Sequence, residues 1–486
     1  MKRLLFLILS ILLVCQLNAF ANGWQSNWYA SLRMAGGTAE YLPFWARTGE
    51  DGILPVRSSG LITAGGDFSY NSNKGFFFDA GANLVGAYSM TSVLNPKQIY
   101  GLVDRAYVSA GWKMLRADVG LRPRHGDLGD LSITGGDIIM SGNARNLPGI
   151  NLYSDWIYFE KGKWFAIKGN LAHYHMFDDR TVKGAMVHDK SLAFKLAIGR
   201  KVDFMAGLHH YAQWGGVSES HDPQAATLRD YMKIFFAKRG DSGDSMSDQL
   251  NVFGNHLGNE WIRVVWRASS FKMTFQYDKP FEDNSGVLFK NFPDGVWTLQ
   301  FSKADGKALL TDFTYEFINT TWQSGPLHDR PATEEEMKGQ DPSDPWYGKI
   351  SLGGRDHYFY NSPYKSGWTH YGRTIGLPLI VPCAPNEEGI CPGILNNRVR
   401  GHHVGIAGYI CRLPYRFKGT FTQNYGTYFN VMEEKPWQLS MALEADIPQD
   451  VMNIPAILSV GVYADVGEMY RDSVGLTLKF SYSGSR

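Results

Sequence analysis

Long runs in which apolar and polar residues alternate recur along the chain, and they restrict the fold more than any other sequence feature. In one run the apolar face comprises Phe271, Met273, Phe275 and Tyr277, and the polar face comprises Lys272, Thr274, Gln276 and Asp278. Strands of soluble sandwiches average about 5–6 residues, whereas membrane-crossing strands need about 9–11. The runs are near the longer value, and their charged face suits a water-filled lumen. The sequence therefore predicts an all-β fold, a transmembrane antiparallel β-barrel.

Three further runs show the same alternation: RAYVSAGWKM (105–114), WQLSMALEADI (437–447) and SVGLTLKFSY (473–482). Trp437, Tyr277 and Tyr482 fall at the ends of their runs, where interfacial aromatic girdles are expected. The aromatic content of 14% and the 53 glycines are both high. Such a composition is typical of membrane barrels.

The N-terminus has the pattern of a cleaved signal peptide over residues 1–21. Lys2 and Arg3 precede an apolar stretch from Leu4 to Val14, and AFA (19–21) is a small-x-small cleavage site. No other segment approaches the roughly 18 apolar residues of a spanning helix. With 48 basic and 47 acidic residues, the chain carries no charge excess that would indicate nucleic acid. We expect export to the outer membrane of a Gram-negative bacterium.

The runs and the segments between them suggest one barrel domain with insertions, although the length alone permits two or three soluble domains. The predicted parts are an N-terminal periplasmic or plug-like segment (22–57) and the barrel (58–486), with long extracellular loops at about 214–259 and 320–398. Short helical insertions are predicted at 222–240 and at 333–337, where Thr333 and Glu336 form a capping-box pattern. Tight turns such as 71–75 and 199–203 contrast with the long loops, as in outer-membrane barrels.

The cysteine and histidine residues suggest one possible disulfide and few possible metal sites. Cys383 and Cys391 flank a short Pro/Gly/Glu stretch, so an exported protein could join them in a disulfide; the alternative is two free thiols. The histidine pairs His173 with His175 and His209 with His210 could ligate a metal, but ordinary lumen or interfacial positions are the favoured interpretation. We predict no metal and no cofactor.

A loop rich in aromatics, glycines and single charges runs from Gly354 to Leu379 and has neither helical nor alternating period. Aromatic rings pack on the C–H faces of sugars, and planar polar groups bond sugar hydroxyls or acids. The candidate carbohydrate-binding residues are Arg355, Asp356, Tyr358, Tyr360, Asn361, Trp368, Tyr371 and Arg373. The alternative is a self-packed loop whose aromatics only plug the barrel mouth. The composition alone leaves both readings open.

Within this loop, YNSPYKSGWTHYGRTIGLPL (360–379) resembles the signature of the Wzi capsule-assembly family. Three other stretches also fit: DIIMSGNARNLPGINL (137–152), FGNHLGNEWIRV (253–264) and TTWQSGP (320–326). The N-terminal EYLPFWARTGEDGILP (40–55) resembles the opening of the family, and the matches occur in family order. The resemblance thus covers most of the mature chain.

The resemblance implies an outer-membrane barrel of about 18 strands, with a periplasmic helical element and loops that close the mouth. It implies a non-enzymatic surface lectin that helps attach capsular polysaccharide or exopolysaccharide to the cell. Its expected partners are that polysaccharide, outer-membrane lipid and the capsule-export machinery. The alternative function is a porin or polysaccharide channel. An enzyme is the third possibility; carboxylates such as Asp312 and Glu316 are its candidates, but no convincing nucleophile–base pair supports it.

Overall fold

The computed structural model describes residues 24–159, 163–218, 227–236, 254–282, 284–303, 306–326, 328–338, 340–343, 347–451 and 454–485. The predicted signal peptide at 1–21 lies outside these residues. Among them, no helix has the length and apolar character needed to cross a membrane.

The described chain forms one large antiparallel sheet together with short strand pairs in the connections. The strands of the large sheet are β1 (Trp24–Gly37), β2 (Ser59–Asn71), β3 (Phe76–Ser89), β4 (Ile99–Trp112), β5 (Leu115–Leu121), β6 (Pro148–Ser154), β7 (Ile157–Tyr158), β8 (Phe165–His175), β10 (Met186–Ile198), β11 (Val202–Trp214), β13 (Asn255–Arg267), β14 (Phe271–Phe281), β15 (Gly295–Lys303), β16 (Asp312–Asn319), β23 (Val399–Ile410), β24 (Leu413–Asn424), β25 (Trp437–Val451), β26 (Ile454–Gly467) and β27 (Ser473–Ser485). The short strands are β9 (Val182–Lys183), β12 (Val217–Ser218), β17 (His328–Pro331), β18 (Lys349–Gly353), β19 (Thr369–His370), β20 (Arg373–Thr374), β21 (Val381–Pro382) and β22 (Ile394–Asn396). The helices are α1 (Phe44–Arg47), α2 (Leu228–Phe235), α3 (Asn284–Val287) and α4 (Glu334–Met337).

The large sheet closes on itself. The first strand, β1, pairs with β2 on one side and with the last strand, β27, on the other, both antiparallel. β6 and β7 pair with the same neighbour, β8, and form one interrupted strand, so the barrel has 18 strands. Closure leaves no sheet edge with unpaired backbone groups, which is the condition for strands to cross a bilayer. The predicted barrel fold is confirmed.

The two faces of the wall follow the alternation read from the sequence. On β14, Gln276 and Asp278 point inward, where their side chains bond the backbone of Gly136 and Ile138. The large apolar side chains that alternate with such residues stay exposed on the outer face; examples are Leu192, Leu208 and Leu443. That outer face is the surface that a barrel presents to lipid.

The connections differ sharply between the two ends of the barrel. One end, the turn end, carries short connections such as residues 72–75, 199–201 and 411–412. The other, the loop end, carries the longest connections, 215–254 and 320–398, close to the predicted loop bounds. Both termini of the described chain lie at the turn end, because β1 begins there and β27 ends there.

The predicted boundary between an N-terminal segment and the barrel at residue 58 is wrong. Residues 24–37 are the first barrel strand; Gly and Ala interrupt its apolar face, and this weakened the alternation in the sequence. Residues 38–57 do lie inside the wall, as a plug-like segment would. They lie at the loop end, since Thr38 N donates to the carbonyl of Val474 and Phe44 N donates to Asp465 Oδ2 (2.8 Å).

Three connections at the loop end turn inward and pack as a common core: residues 38–57, 122–147 and 354–380. Carboxylates of the wall hold the second of these. Glu316 accepts from Ile133 N (2.7 Å) and Ser132 Oγ (2.6 Å), and Asp278 accepts from Ile138 N (2.7 Å). We call these three connections the plug. It fills the lumen nearest the loop end with buried side chains.

The predicted helices at 222–240 and 333–337 are present over shorter bounds. Residues 219–226 and 237–253 lie outside the described chain, and within the described part α2 spans Leu228–Phe235. α2 packs on the outer face of the wall, where Tyr231 contacts Trp214 and His188. α4 begins after Thr333, whose side chain and that of Glu336 form the predicted capping box.

The predicted disulfide is wrong in this structure: Cys383 and Cys391 are both free thiols. The hairpin register gives the reason. Cys383 N donates to the carbonyl of Gly393, and Asn386 N donates to that of Ile390. This pairing places residue 383 opposite 393, two residues from Cys391. The alternative of two free thiols applies.

Candidate functional site

Two of the predicted carbohydrate-binding aromatics are core residues of the plug. Trp368 is fully buried, and its indole Nε1 donates to the carbonyl of Ile139 (2.7 Å). Tyr358 is 1% exposed, and its hydroxyl donates to Asp294 Oδ2 (3.1 Å). Burial raises the pKa of that phenol well above its usual value. Neither side chain is accessible to a polysaccharide.

Four other candidates lie apart from any cavity described below. Asp356 is buried and accepts from Ser324 Oγ (2.6 Å), so its role is structural. Arg355 is exposed to solvent. Tyr360 is half-buried with its ring against His357, and Asn361 is half-buried beside it.

The last two candidates, Tyr371 and Arg373, line a cavity that opens at the loop end, the mouth cavity. Its volume is about 220 Å³. Its walls come from the connection after β1, the β3–β4 loop and the start of β4, the 122–147 connection, the β8–β10 connection and the long 320–398 loop. The lining residues are Gly52, Ile53, Leu54, Pro55, Val56, Val93, Leu94, Asn95, Pro96, Tyr100, Arg145, Asp178, Asp179, Tyr371, Gly372, Arg373, Glu387, Glu388 and Gly389.

A second cavity of about 340 Å³ adjoins the first, the inner cavity. The two share Ile53, Arg145 and Tyr371. The inner cavity also touches His370 and Asn146. Arg145 and Tyr371 therefore line both cavities.

Arg373 is held at the mouth cavity by carbonyl groups. Its guanidinium donates to the main-chain oxygens of Arg47 and Leu54. Within the described residues it has no carboxylate partner. Burial, and then the nearby charges of Arg47 and Arg145, lower its pKa to about 9. The site thus concentrates positive charge that the protein does not neutralise by direct pairing.

Arg145 stacks on the Tyr371 ring, with its guanidinium carbon 4.2 Å from the ring centroid. Its Nε is buried without a hydrogen-bond partner, and it forms no ion pair with any described residue. His370 is 2% exposed; its Nδ1 contacts the carbonyl of Arg145 (2.9 Å), and its Nε2 is buried without a partner. Tyr371 remains 40% exposed.

The rim of the mouth cavity is acidic. Asp179, Glu387 and Glu388 are exposed to solvent there. Asp178, which lies deeper, is neutralised by Arg180 (3.1 Å) and accepts from the backbone N–H of Tyr371 (3.0 Å). The cavity therefore has three exposed carboxylates at its entrance, and two half-buried guanidinium groups together with the paired carboxylate of Asp178 further in.

Of the two histidine pairs considered as metal ligands, His173 and His175 share one face of β8, with His173 against Trp214 and His175 stacked on Phe177 (4.3 Å), whereas His209 and His210 are separated by the wall. His209 faces the lumen and contacts Asp137 (3.0 Å), whereas His210 faces outward and contacts His256 (2.7 Å). Among the described residues, no group of three or more His, Cys, Asp or Glu side chains is placed to hold a metal ion. Glu316, considered as a catalytic carboxylate, is fully buried as an anchor of the plug.

Solved structures with a similar fold are known. The chain is similar in structure to Wzi, an outer-membrane protein involved in group 1 capsule assembly in Escherichia coli and described as a carbohydrate-binding β-barrel. The TM-score is 0.52 at 13% identity, over 98% of this chain and 87% of that chain. The fold is that of an outer-membrane β-barrel. No protein-family model and no curated protein matches the sequence.

Outer-membrane proteins of Pseudomonas aeruginosa also match. OpdK gives a TM-score of 0.48 at 8% identity, over 96% of this chain and all of that chain (100%). OprD gives 0.47 at 9% identity, over 97% of each chain. These matches carry no information about the role of the mouth cavity.

Sequence reasoning missed Arg145 and His370 as members of the site. Arg145 lies in DIIMSGNARNLPGINL, a stretch that indicates only the resemblance to the capsule-assembly family. His370 directly precedes Tyr371 in the aromatic loop. A partial signal was present for His370, which lies beside Tyr371 in the aromatic loop, whereas the stretch around Arg145 contains no aromatic residue and gave no such signal.

Proposed function

We propose that this protein is a non-enzymatic surface lectin that binds capsular polysaccharide or exopolysaccharide at its mouth cavity and helps hold it on the cell. The observation that carries the proposal is the combination of a filled lumen with an open, aromatic and charged cavity at the loop end. The buried core that the plug forms inside the wall opposes passage. An exposed cavity with Tyr371 and Arg145 offers the two contact types that sugars use, ring stacking and planar hydrogen bonding.

The proposed mechanism is multivalent weak attachment. A cavity of about 220 Å³ is smaller than the roughly 300–1,000 Å³ of pockets for drug-sized ligands, so it suits a single sugar residue or a chain end. A polymer presents many repeats, and neighbouring barrels present many cavities, so the combined attachment exceeds the single affinity. The carbohydrate binding described for Wzi, which shares this fold, is consistent with such a role.

A channel is the second candidate, and one observation favours it. The half of the lumen nearest the turn end carries ion pairs between charged side chains, such as Arg105 with Asp67 (3.1 Å) and Arg416 with Asp446 (3.0 Å). Charged walls of this kind line water-filled barrels. The plug blocks that path at the loop end, so the channel reading requires the plug to move.

Binding of the purified, detergent-solubilised protein to the polysaccharide of its own strain tests the proposal. A foreign polysaccharide is the control ligand, and heat-modifiable migration on a gel shows that the barrel is folded. Selective binding is expected. If the folded barrel binds neither polysaccharide but conducts steadily in a planar bilayer, the channel replaces the lectin.

A further inference from the structure

The floor of the mouth cavity carries cationic groups that the protein leaves without carboxylate partners. Arg373 donates only to main-chain carbonyls, those of Arg47 and Leu54. Arg145 forms no ion pair with any described residue, and its Nε is buried without a hydrogen bond. Both residues are half-buried, and cations that are partly withdrawn from water are normally paired, because an unpaired charge out of water is costly. These two guanidinium groups are therefore poised for an anion that the ligand supplies.

The imidazole of His370 is a third polar group that is available to a ligand. The His370 side chain is almost fully buried (2% exposed) and lines the inner cavity. Its Nε2 has no hydrogen-bond partner among the described residues. Its Nδ1 is fixed against the carbonyl of Arg145. As a neutral imidazole it therefore donates from Nδ1 and offers Nε2 as an acceptor, which suits a sugar hydroxyl.

The acidic rim limits which anion fits. Asp179, Glu387 and Glu388 repel a ligand that is negative along its whole length, such as a polyphosphate. They accept hydrogen bonds from hydroxyl groups. A ligand that carries one carboxylate at its inner end and hydroxyls elsewhere satisfies both the floor and the rim. Tyr371, which is 40% exposed and already positioned by Arg145, supplies an aromatic face for the ring.

We infer that the mouth and inner cavities together bind an acidic sugar residue, a hexuronic acid within or at the end of a surface polysaccharide, with its carboxylate held by Arg145 and Arg373. This inference rests on the proposed function and specifies its ligand. The guanidinium fork matches a carboxylate in two parallel hydrogen bonds, which makes the contact selective for an acid over a neutral hexose.

The test compares two forms of one ligand. The strain's own polysaccharide is used as isolated and after its uronic acid carboxyls have been reduced to primary alcohols, which removes the charge and keeps the sugar sequence. Binding to the full-length protein in detergent is measured by calorimetry. The native form is expected to bind about tenfold tighter or better than the reduced form, because hydrogen bonds to charged groups are the strong ones.

Variants test whether the preference for the native polysaccharide arises from the cavity. Arg145→Gln removes the unpaired guanidinium without deleting any hydrogen bond to the protein, so it is expected to fold and to lose the preference for the native form. Arg373→Gln removes a group that also holds Arg47 and Leu54, so it serves as a second variant. Arg398→Gln is the control: Arg398 also stacks on a tyrosine, Tyr428 (4.1 Å), and lines neither cavity, but its Nε donates to the carbonyl of Thr321 (3.0 Å), so the folding of this variant is checked too. It is expected to keep the full preference.

The outcomes separate the inference from the function on which it rests. Equal binding of native and reduced polysaccharide would overturn the acidic-sugar inference and leave the lectin in place. An unchanged preference in folded Arg145→Gln would overturn the role of this cavity. Binding of neither form by the folded barrel would overturn the proposed function itself. A preference that disappears in Arg145→Gln and persists in Arg398→Gln supports the inference.

Discussion

Two parts of the same aromatic loop have opposite fates in the fold, although their compositions are alike. Residues 358–368 turn into the lumen, where Tyr358 and Trp368 are buried and hydrogen-bonded to the plug and its neighbours. Three residues later, Tyr371 emerges at the mouth and is 40% exposed beside Arg145. The first part gives the mouth a rigid base, and the second is available to a ligand. Aromatic residues in one loop thus divide into those that hold the site and those that form it.

The largest effect is expected from Trp368→Ala. This change removes a fully buried indole and its hydrogen bond to Ile139, and large-to-small aromatic substitutions in cores cost about 3–5 kcal/mol. We expect a lower thermal unfolding midpoint and faster proteolysis of the loops. Tyr371→Ala is the comparison, with a midpoint close to that of the unaltered protein. Equal destabilisation by both changes would erase the distinction between the two parts.

The next effect concerns the plug. Glu316→Ala together with Asp278→Ala removes the carboxylates that accept from Ile133, Ser132 and Ile138. Each buried hydrogen-bond donor left without its acceptor costs about 1–3 kcal/mol, so the 122–147 connection should be held more loosely against the wall. We expect the unaltered protein to conduct little in a planar bilayer and the double variant to conduct clearly more.

The control for that measurement is Asp312→Ala. Asp312 lies on β16 with Glu316, but it anchors no part of the plug through a side-chain hydrogen bond that the structure shows. It should leave conductance low. Large steady conductance of the unaltered protein would contradict the closed lumen on which the lectin proposal depends.

The sequence was sufficient for most of the wall, with the exception of β1, and insufficient for the plug, for a physical reason. Alternation is a local property with a period of two, so the inward placement of Gln276 and Asp278 followed from their neighbours. The direction of the 354–379 loop depends on distant partners, such as Ile139 and Asp294. A buried aromatic residue and an exposed one contribute equally to composition. Composition alone therefore does not distinguish a self-packed loop from a carbohydrate-binding loop.

Glycines in the loop signature carry structural information that the sequence alone did not reveal. Gly367 has φ +70°, and a side chain there would collide with the carbonyl of Phe359. At Gly376 a side chain would collide with the carbonyls of Ile138 and Ile139. Both positions therefore permit close approach of plug segments to one another. The signature SGW…IGLP describes the packing of the plug more than the chemistry of a ligand.

A smaller effect separates the exposed aromatics of the loops. Tyr371→Ala should weaken polysaccharide binding up to about tenfold, because a stacked aromatic contact contributes about 0.5–1.5 kcal/mol beyond its buried area. Tyr347→Ala is a matched control, since Tyr347 is 45% exposed in the same long connection and lines neither cavity. Calorimetry with the strain's own polysaccharide measures both. Equal losses in the two variants would mean that exposed tyrosines act without regard to the cavity.

The smallest effect is a pH dependence of the buried part of the loop. Burial lowers the pKa of His357 from its usual 6.5 to about 4, so its contribution to stability is complete above pH 6.5 and is lost as the pH falls toward 4. Burial raises the pKa of Asp294 from 3.8 to about 6, which contributes in the opposite sense: that stability is present at low pH and is lost as the pH rises through 6. The two partly cancel in the unaltered protein.

His357→Gln removes one side of this balance and keeps a polar side chain beside Asn397. We expect the unfolding midpoint of the variant to fall less than that of the unaltered protein between pH 7 and pH 4, by a few degrees at most, because the variant has no imidazole to protonate. Binding at the mouth should retain its own pH profile, since His357 lines neither cavity. Parallel midpoints across that range would show that protonation of this histidine leaves the buried part of the loop unaffected.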